Sequence, residues 1–457
     1  MEGSSIQLES PNDSPTTHLD KTEFGQSGGN AGVMMGNAIQ PYIYIAHGST
    51  SKECDEDEFK NCLQCLYKAD SHEERNLDRV EGTCEWFLED EKYRRWWREQ
   101  KSDLLWVSAG AGCGKSVLAN FLVDELRSSK SQQIVPSTVC SFFFKDDNDY
   151  QKSAIFALCA LLHQLFVVKR RLIYHAVEEF KVKNAAFTKD FATLWKILTM
   201  AATDKKNGGN VICIIDGLDE CEPRTQKQLI ESFIGFHQNL GTSSGNGPFL
   251  KFLVTSRPDS AIENGFHSLE TIRLEDTPTT TCEDIKLVIK ARIKSIGERE
   301  RLSKDLQDNL VRRLFDEAEQ TFLWVSLVLK MIDDSANFNQ ETLNEILSTR
   351  PTTLDEIYEK IFTQCPKTKM ARKTLHIIIA AARPLSLDEI NVASSIKHGN
   401  RSFESVDRSP FVENMLKKNC RSFLRIQDSK VYLVHQTAKD FLIKKYIPDP
   451  LFAISFV

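Results

Sequence analysis

A chain of 457 residues has room for about three domains, and 41% hydrophobic residues are enough to build real cores. Its 58 basic and 64 acidic residues are interspersed and leave a net charge of −6, which disfavours a polyanion-binding protein and nucleic acid as the main partner. Twelve scattered cysteines, several inside apolar runs (Cys140, Cys159, Cys213), fit a reducing compartment, and the N-terminus lacks the basic-then-apolar layout of a leader.

Residues 1–54 are rich in Ser, Gly, Asn and Pro and read as a disordered tail. Within it, the Gly/Asn-rich piece Phe24 to Ala46 with its β-prone end Tyr42 to Ile45 has two readings: a cross-β assembly motif interrupted by Pro41, or a flexible arm. Residues 55–98 turn charged and helical, with Phe59, Leu63, Leu66, Trp86, Phe87, Tyr93, Trp96 and Trp97 as anchors. Gly82-Thr83 supplies a turn and an N-cap for a helix over Cys84 to Glu91. This lead-in either forms a wall of a base pocket or is an ordinary helix start. Cys62 and Cys65 have no second pair at finger-like spacing, so they read as two positions on a helix rather than a metal site.

Leu104 to Leu126 reads as an apolar strand, a glycine-rich loop and an amphipathic helix. Gly110, Gly112, Cys113, Gly114, Lys115, Ser116 and Val117 match a phosphate-binding loop, with Ala109 standing where the first glycine is usual. Glycines let the backbone turn its N–H groups inward, the helix points its positive end at the same spot, and Lys115 reaches the outer phosphates. Ser116 is the expected magnesium ligand of the loop. Ala109 raises the question of entry geometry, because alanine resists positive φ.

Further along, Thr138 to Phe144 reads as a buried strand and Ala154 to Val168 as an apolar helix, in which His163 is a core or boundary residue. Ala186 to Ala202 is a further expected helix. In Val211 to Glu222, five apolar residues end in Asp216, which places that acid at the carboxyl edge of a central strand, where ligands of open α/β sheets collect. Asp216 is the expected partner of Mg²⁺, and Asp219 and Glu220 are candidates for orienting or deprotonating an attacking water. Arg257 follows the strand Phe249 to Ser256, where a fixed guanidinium fork can read the γ-phosphate. Thr271 to Leu274 is the last candidate strand, and the repeating βα pattern argues a parallel sheet with helices on both faces, a three-layer α/β/α core.

From Cys282 onward the pattern is helical: Ile285 to Ile296, Lys304 to Glu319, Phe322 to Ile332, Glu341 to Ile346, Leu354 to Phe362 and Lys373 to Ala381. The apolar run Thr321 to Ile332 is too short to cross a bilayer, so no transmembrane segment is expected, and a cytoplasmic protein is the default. Pro384 to Ile390 reads as a turn, an N-cap serine and a short helix. Ser422 to Gln427 and Val431 to His435 form an expected hairpin and Lys439 to Lys445 a closing helix, which together suggest a winged-helix module. The expected division is 99–275 for the nucleotide core, 276–350 for a helical domain and 351–457 for the winged helix.

LLWVSAGAGCGKS, VICIIDGLDEC, FLVTSRP, TFLWVSLVLKMI, PLSLDEI and YLVHQTAKDFL, in this order and spacing, resemble the NACHT nucleoside-triphosphatases of filamentous fungi. That group belongs to the STAND class and includes heterokaryon-incompatibility proteins and a nephrocystin-like N-terminal type. The resemblance implies an ATP/ADP switch with Mg²⁺, closed with ADP and self-associating with ATP, acting through an upstream trigger and downstream effectors in non-self recognition or cell death. It also implies the strand order 5-1-4-3-2. Carried across, Lys115 and Ser116 are loop residues, Asp216 the magnesium acid, Asp219 and Glu220 the hydrolytic acids, and Arg257 the sensor. His435 matches the winged-helix histidine that touches the ADP β-phosphate in related switches, although Gln436 follows it where some relatives have an acid, and a strand-ending histidine also has a purely structural reading. The chain stops at Val457, where many relatives continue into ankyrin or propeller repeats, so sensing through a partner and a shortened chain are both open. Slow ATP hydrolysis is the expected activity. A non-catalytic scaffold and a kinase for a small acceptor are the alternatives.

Overall fold

Five strands form one parallel sheet in the computed structural model: β1 (Asp103–Ser108), β2 (Ser137–Phe143), β3 (Asn210–Asp216), β4 (Leu250–Ser256) and β5 (Thr271–Arg273). The structure describes residues 56–67, 79–239, 247–276, 278–317, 321–334, 353–364, 369–381, 383–396, 413–414, 416, 423–427 and 429–446. The N-terminal tail with its cross-β or flexible-arm readings, the helix expected over Glu341 to Ile346, Ser422 at the start of the expected hairpin, and the chain end lie outside those residues.

The strands are arranged β2-β3-β4-β1-β5, the 5-1-4-3-2 order that the resemblance implies. Register then decides where the chemistry sits. Ser108 of β1 pairs with Ser256 of β4, and Phe143 of β2 pairs with Asp216 of β3. The phosphate loop, Asp216 and Arg257 therefore leave the sheet at one edge, with the Arg257 strand between the other two.

Alternation along each strand separates two cores. Leu104 and Trp106 of β1, Cys213 and Ile215 of β3, and Phe252 and Val254 of β4 face one layer with Leu158, Phe166, Leu198 and Phe233. Leu105, Val107, Ile212, Ile214 and Leu253 face the other, with Phe87, Trp96, Phe121 and Leu122. Burial on both faces is why these strands read as unbroken apolar runs rather than an apolar-polar alternation. The free edge of β2 is closed by side chains. Gln164 accepts from the Ser141 N–H at 2.9 Å and donates to its carbonyl at 2.8 Å, while Arg127 and Gln151 donate to the carbonyls of Val139 and Phe143. An edge satisfied in this way offers little to a stray strand.

The lead-in differs from the expected single helix over Cys84 to Glu91. Cys84 is left-handed (φ 67°), a 3-10 turn runs over Glu85–Glu89, and the α-helix is Glu91–Arg98, capped by Asp90 through the N–H groups of Lys92 and Tyr93. Thr83 instead bonds back to the Val80 carbonyl, so the aspartate takes the capping place. Lys251, fully buried in β4, donates to the Trp96, Trp97 and Glu99 carbonyls at the end of that helix. A cation there complements the helix C-terminus and ties the lead-in to the central sheet. Burial lowers its ammonium pKa to about 8, so it stays charged at neutral pH. Cys62 and Cys65 lie on the helix Glu56–Leu66, and the helix expected from Ala186 begins at Phe191, after a 3-10 segment over Asn184–Lys189. Ser129–Ile134, Tyr174–Lys183, Pro223–Gln238 and Ser260–Phe266 are helices beyond those expected from the sequence.

Beyond the sheet, the helices Pro278–Glu300, Lys304–Glu317, Phe322–Asp334, Leu354–Gln364 and Lys369–Ala380 share one core with the winged-helix elements. Ser386 and Glu389 form a reciprocal cap on the helix Leu387–Ser395, as expected. The preceding β6 (Leu385–Ser386) adds a third strand, giving the order β6-β8-β7 with β7 (Leu424–Gln427) and β8 (Lys430–Leu433). The helix Gln436–Tyr446 packs back through Phe441, whose ring is stacked with Phe423, itself stacked on Tyr358. Among the described residues no helix is long and apolar enough to cross a membrane.

Candidate nucleotide site

The loop after β1 takes its shape from two glycines. Gly112 (φ +75°) and Gly114 (φ +84°) hold positive φ, and Ala109 does not. Ala109 is instead an extension of the sheet. It is fully buried, and its N–H donates to the Ser256 carbonyl at 3.1 Å. The missing first glycine thus costs no strain. Gly114 is the left-handed N-cap of the helix Lys115–Arg127, whose first turn receives no side-chain cap, so its N–H groups remain available to an anion. Val117 sits in that first turn and packs on the core below it. Burial and the nearby Glu275 keep the Cys113 thiol above its ordinary pKa, so it contributes backbone rather than reactive sulfur.

Lys115 Nζ donates to the Ala109 and Gly110 carbonyls, both at 2.8 Å. Burial lowers its pKa while Asp219 and Asp216 oppose that shift. Two contacts at this loop carried no sequence signal. Glu275 accepts from the Gly110 N–H at 2.5 Å. The helix Phe322–Asp334 sets its first residues on the loop: Leu323 N–H donates to the Gly112 carbonyl at 3.2 Å, and the Phe322 ring lies over Gly114.

Asp216, almost fully buried, accepts from Ser116 Oγ at 2.6 Å on one oxygen and from Thr255 Oγ1 at 2.6 Å on the other. Thr255 Oγ1 in turn accepts the Gly217 N–H at 3.1 Å. Ser116 and Asp216 thus present two hard oxygen donors side by side, the donor type and spacing that suit Mg²⁺. They are the residues that would hold it.

The two following acids are placed differently. Asp219, with a side chain only 6% exposed, accepts from Arg257 through its backbone N–H (3.0 Å) and Nε (3.1 Å). Glu220 has no such partner charge in contact. Desolvation pushes its carboxyl up to about 7, Lys145 opposes this, and Asp219, Asp146 and Asp216 add to it. A carboxyl with a pKa near neutrality can exchange a proton under working conditions, whereas Asp219 is occupied as the anchor of Arg257.

The winged helix reaches the same edge. His435 Nδ1 accepts the Thr437 N–H at 3.1 Å and lies 2.9 Å from Thr437 Oγ1, which is 2.8 Å from the Tyr358 hydroxyl. The backbone donor requires a lone pair on Nδ1, which leaves the proton on Nε2. Burial lowers the pKa of His435 to about 4, and the charges of Arg257, Lys145 and Lys115 act in the same direction, so it is neutral at pH 7 and close to the loop cations. Lys439 pairs with Asp146 at 3.5 Å, and Asp440 Oδ2 lies 3.7 Å from Arg257 Nη1. The structure therefore gathers the loop, Asp216, Asp219, Glu220, Arg257 and His435 at one edge, and adds Thr255, Glu275, Phe322, Leu323, Lys439 and Asp440, which the sequence did not single out.

Two family models match this chain: the nephrocystin 3 N-terminal domain over residues 82–257, and the winged helix domain of GPI inositol-deacylase over residues 358–455. The vegetative incompatibility protein HET-E-1 of Podospora anserina is 28% identical over 404 residues, covering 84% of this chain and 28% of that protein. The chain thus spans little more than a quarter of that relative's length. Among solved structures, a Pyrococcus horikoshii signal-transduction ATPase with a tetratricopeptide repeat sensor is 13% identical with a TM-score of 0.37, covering 78% of this chain and 42% of that one. The Drosophila ORC bound to DNA is 12% identical with a TM-score of 0.35, covering 89% and 96%. Taken with the phosphate loop, the Asp216 strand and the sheet order, these sequence matches make the chain similar to the fungal NACHT-type P-loop NTPases.

Proposed function

We propose that the protein is a nucleotide-operated signalling switch that binds ADP or ATP with Mg²⁺ between its sheet edge and its winged helix. The observation that carries this reading is that His435, Lys439 and Asp440 of the winged helix meet the edge from which the loop and Asp216 emerge. A nucleotide held there touches both bodies, so its phosphate count can bias how they pack, and only such differential binding shifts a population. Ser116 and Asp216 would hold the metal, which neutralises phosphate charge when bound. Neutral His435 offers an Nε2–H to a phosphate. The proposed output is incompatibility signalling, by similarity to the vegetative incompatibility protein HET-E-1, and the proposed active state is an ATP-bound, self-associated form.

The test is to release and identify the nucleotide carried by the purified protein, and to weigh the protein by light scattering with ADP and with a slow ATP analogue. The expected result is bound ADP in a monomer and a larger particle with the analogue. Absence of any nucleotide affinity would overturn the reading.

Glu220 gives the switch a pH signature. If it takes the proton of the attacking water, hydrolysis requires its ionised form. The rate should then climb about tenfold between pH 6 and pH 8, since the carboxyl is mostly protonated below about 7 and mostly ionised above it. A profile flat over that range, measured under saturating ATP, would remove Glu220 from the base role.

A further inference from the structure

Arg257 is held from two sides that differ in permanence. Asp219 takes its backbone N–H and Nε within the core, and that carboxylate is 6% exposed. Asp440 takes the Nη1 side from the winged helix at 3.7 Å and is 43% exposed. The first pair is shielded and fixed, and the second is solvated and exchangeable. The Nη edge is also the part of a guanidinium fork that a phosphate uses. Beside Asp440, Lys439 pairs with Asp146, whose N–H faces Glu220 at 3.4 Å. Two consecutive residues of opposite charge thus meet their opposites on the loops after β4 and β2.

We propose that Asp440 sets the nucleotide preference of the switch: its carboxylate occupies the edge of Arg257 that a third phosphate would claim. This rests on the reading of the site as an ATP/ADP switch. A diphosphate leaves the Arg257–Asp440 contact in place and is compatible with the docked winged helix. A triphosphate brings a competing anion to the same guanidinium and a like charge against Asp440. Either the phosphate or the helix gives way, so the docked state discriminates against ATP through one side chain. Lys439 contributes to docking but faces no phosphate-reading group, so its loss should move the ratio of the two affinities less than the loss of Asp440 does.

The experiment measures the affinities of the 457-residue chain for ADP and for a slow ATP analogue by calorimetry. Asp440→Asn, which keeps shape and loses charge, should tighten analogue binding about fivefold while leaving ADP within about twofold, as expected for an exposed pair. Asp440→Glu should keep the wild-type ratio, and Lys439→Ala should move it less than Asp440→Asn does. The proposal is overturned if Asp440→Asn leaves the ratio of the two affinities as in wild type, or if Lys439→Ala moves it equally. Failure of wild type to bind either nucleotide would instead overturn the switch reading itself, so the two failures are told apart.

Discussion

Lys115→Ala should lower affinity for ADP and ATP together, by about a hundredfold. The side chain rests on the Ala109 and Gly110 carbonyls at 2.8 Å, across the mouth of the loop. It is the cation carried by the loop itself, and burial has stripped part of its solvation. Each charge-assisted hydrogen bond from such an ammonium to phosphate contributes roughly 1.5–3 kcal/mol, so losing even one or two accounts for that factor. The effect should be similar for both nucleotides, in contrast to the ratio change at Asp440. The fold should survive, because the side chain's hydrogen bonds are to two carbonyls of the loop itself and not to the sheet cores. Fluorescent-nucleotide titration of wild type and variant is the measurement, and affinity within threefold of wild type would mean that the loop does not hold phosphates.

The residues whose chemistry repeats a local pattern were legible in the sequence. Strand, glycines, lysine and serine occur together within one stretch, and Asp216 ends an apolar run, so backbone periodicity alone places them at strand ends. The strand order was carried by resemblance, and the register of Ser108 with Ser256 and of Phe143 with Asp216 shows what that order achieves. The contacts that couple the bodies were not legible, because they join residues far apart in the chain. Asp440 looks like any exposed helical acid until Arg257 lies beside it. Thr255 looks like a strand residue until its hydroxyl meets Asp216. Ala109 departs from the loop pattern without strain because it extends the sheet, where alanine is at no disadvantage. In the lead-in, Gly82-Thr83 mimics a helix start in sequence, whereas left-handed Cys84 delays the α-helix to the Asp90 cap.

Gly112→Ala should be the most damaging single methyl in the nucleotide site, because it strikes the joint between the phosphate loop and the helical part of the chain. Gly112 has φ +75°, and a Cβ built there falls 2.4 Å from Cβ of Leu323. Left-handed backbone costs an alanine roughly 1–2 kcal/mol. The overlap adds about 1–3 kcal/mol, as overpacking does, and no rotamer can relieve it, since the atom it meets is fixed to the backbone. The helix Phe322–Asp334 must therefore lift or the loop must open, and the Leu323 N–H bond to the Gly112 carbonyl goes with it. The variant should release ADP faster and expose the start of that helix to protease. Gly110→Ala is the internal control: that glycine does not hold positive φ, and its added Cβ would meet only Glu275 Oε1 at 3.3 Å and Cys113 Sγ at 3.6 Å, so its effect should be much smaller. Leu323→Gly in the Gly112→Ala background should recover the steric share and leave the backbone share, a coupling that a double-mutant cycle on ADP affinity isolates. Equal behaviour of the Gly112 and Gly110 variants would show that the helix does not bear on the loop, and that phosphate binding and helical docking are independent.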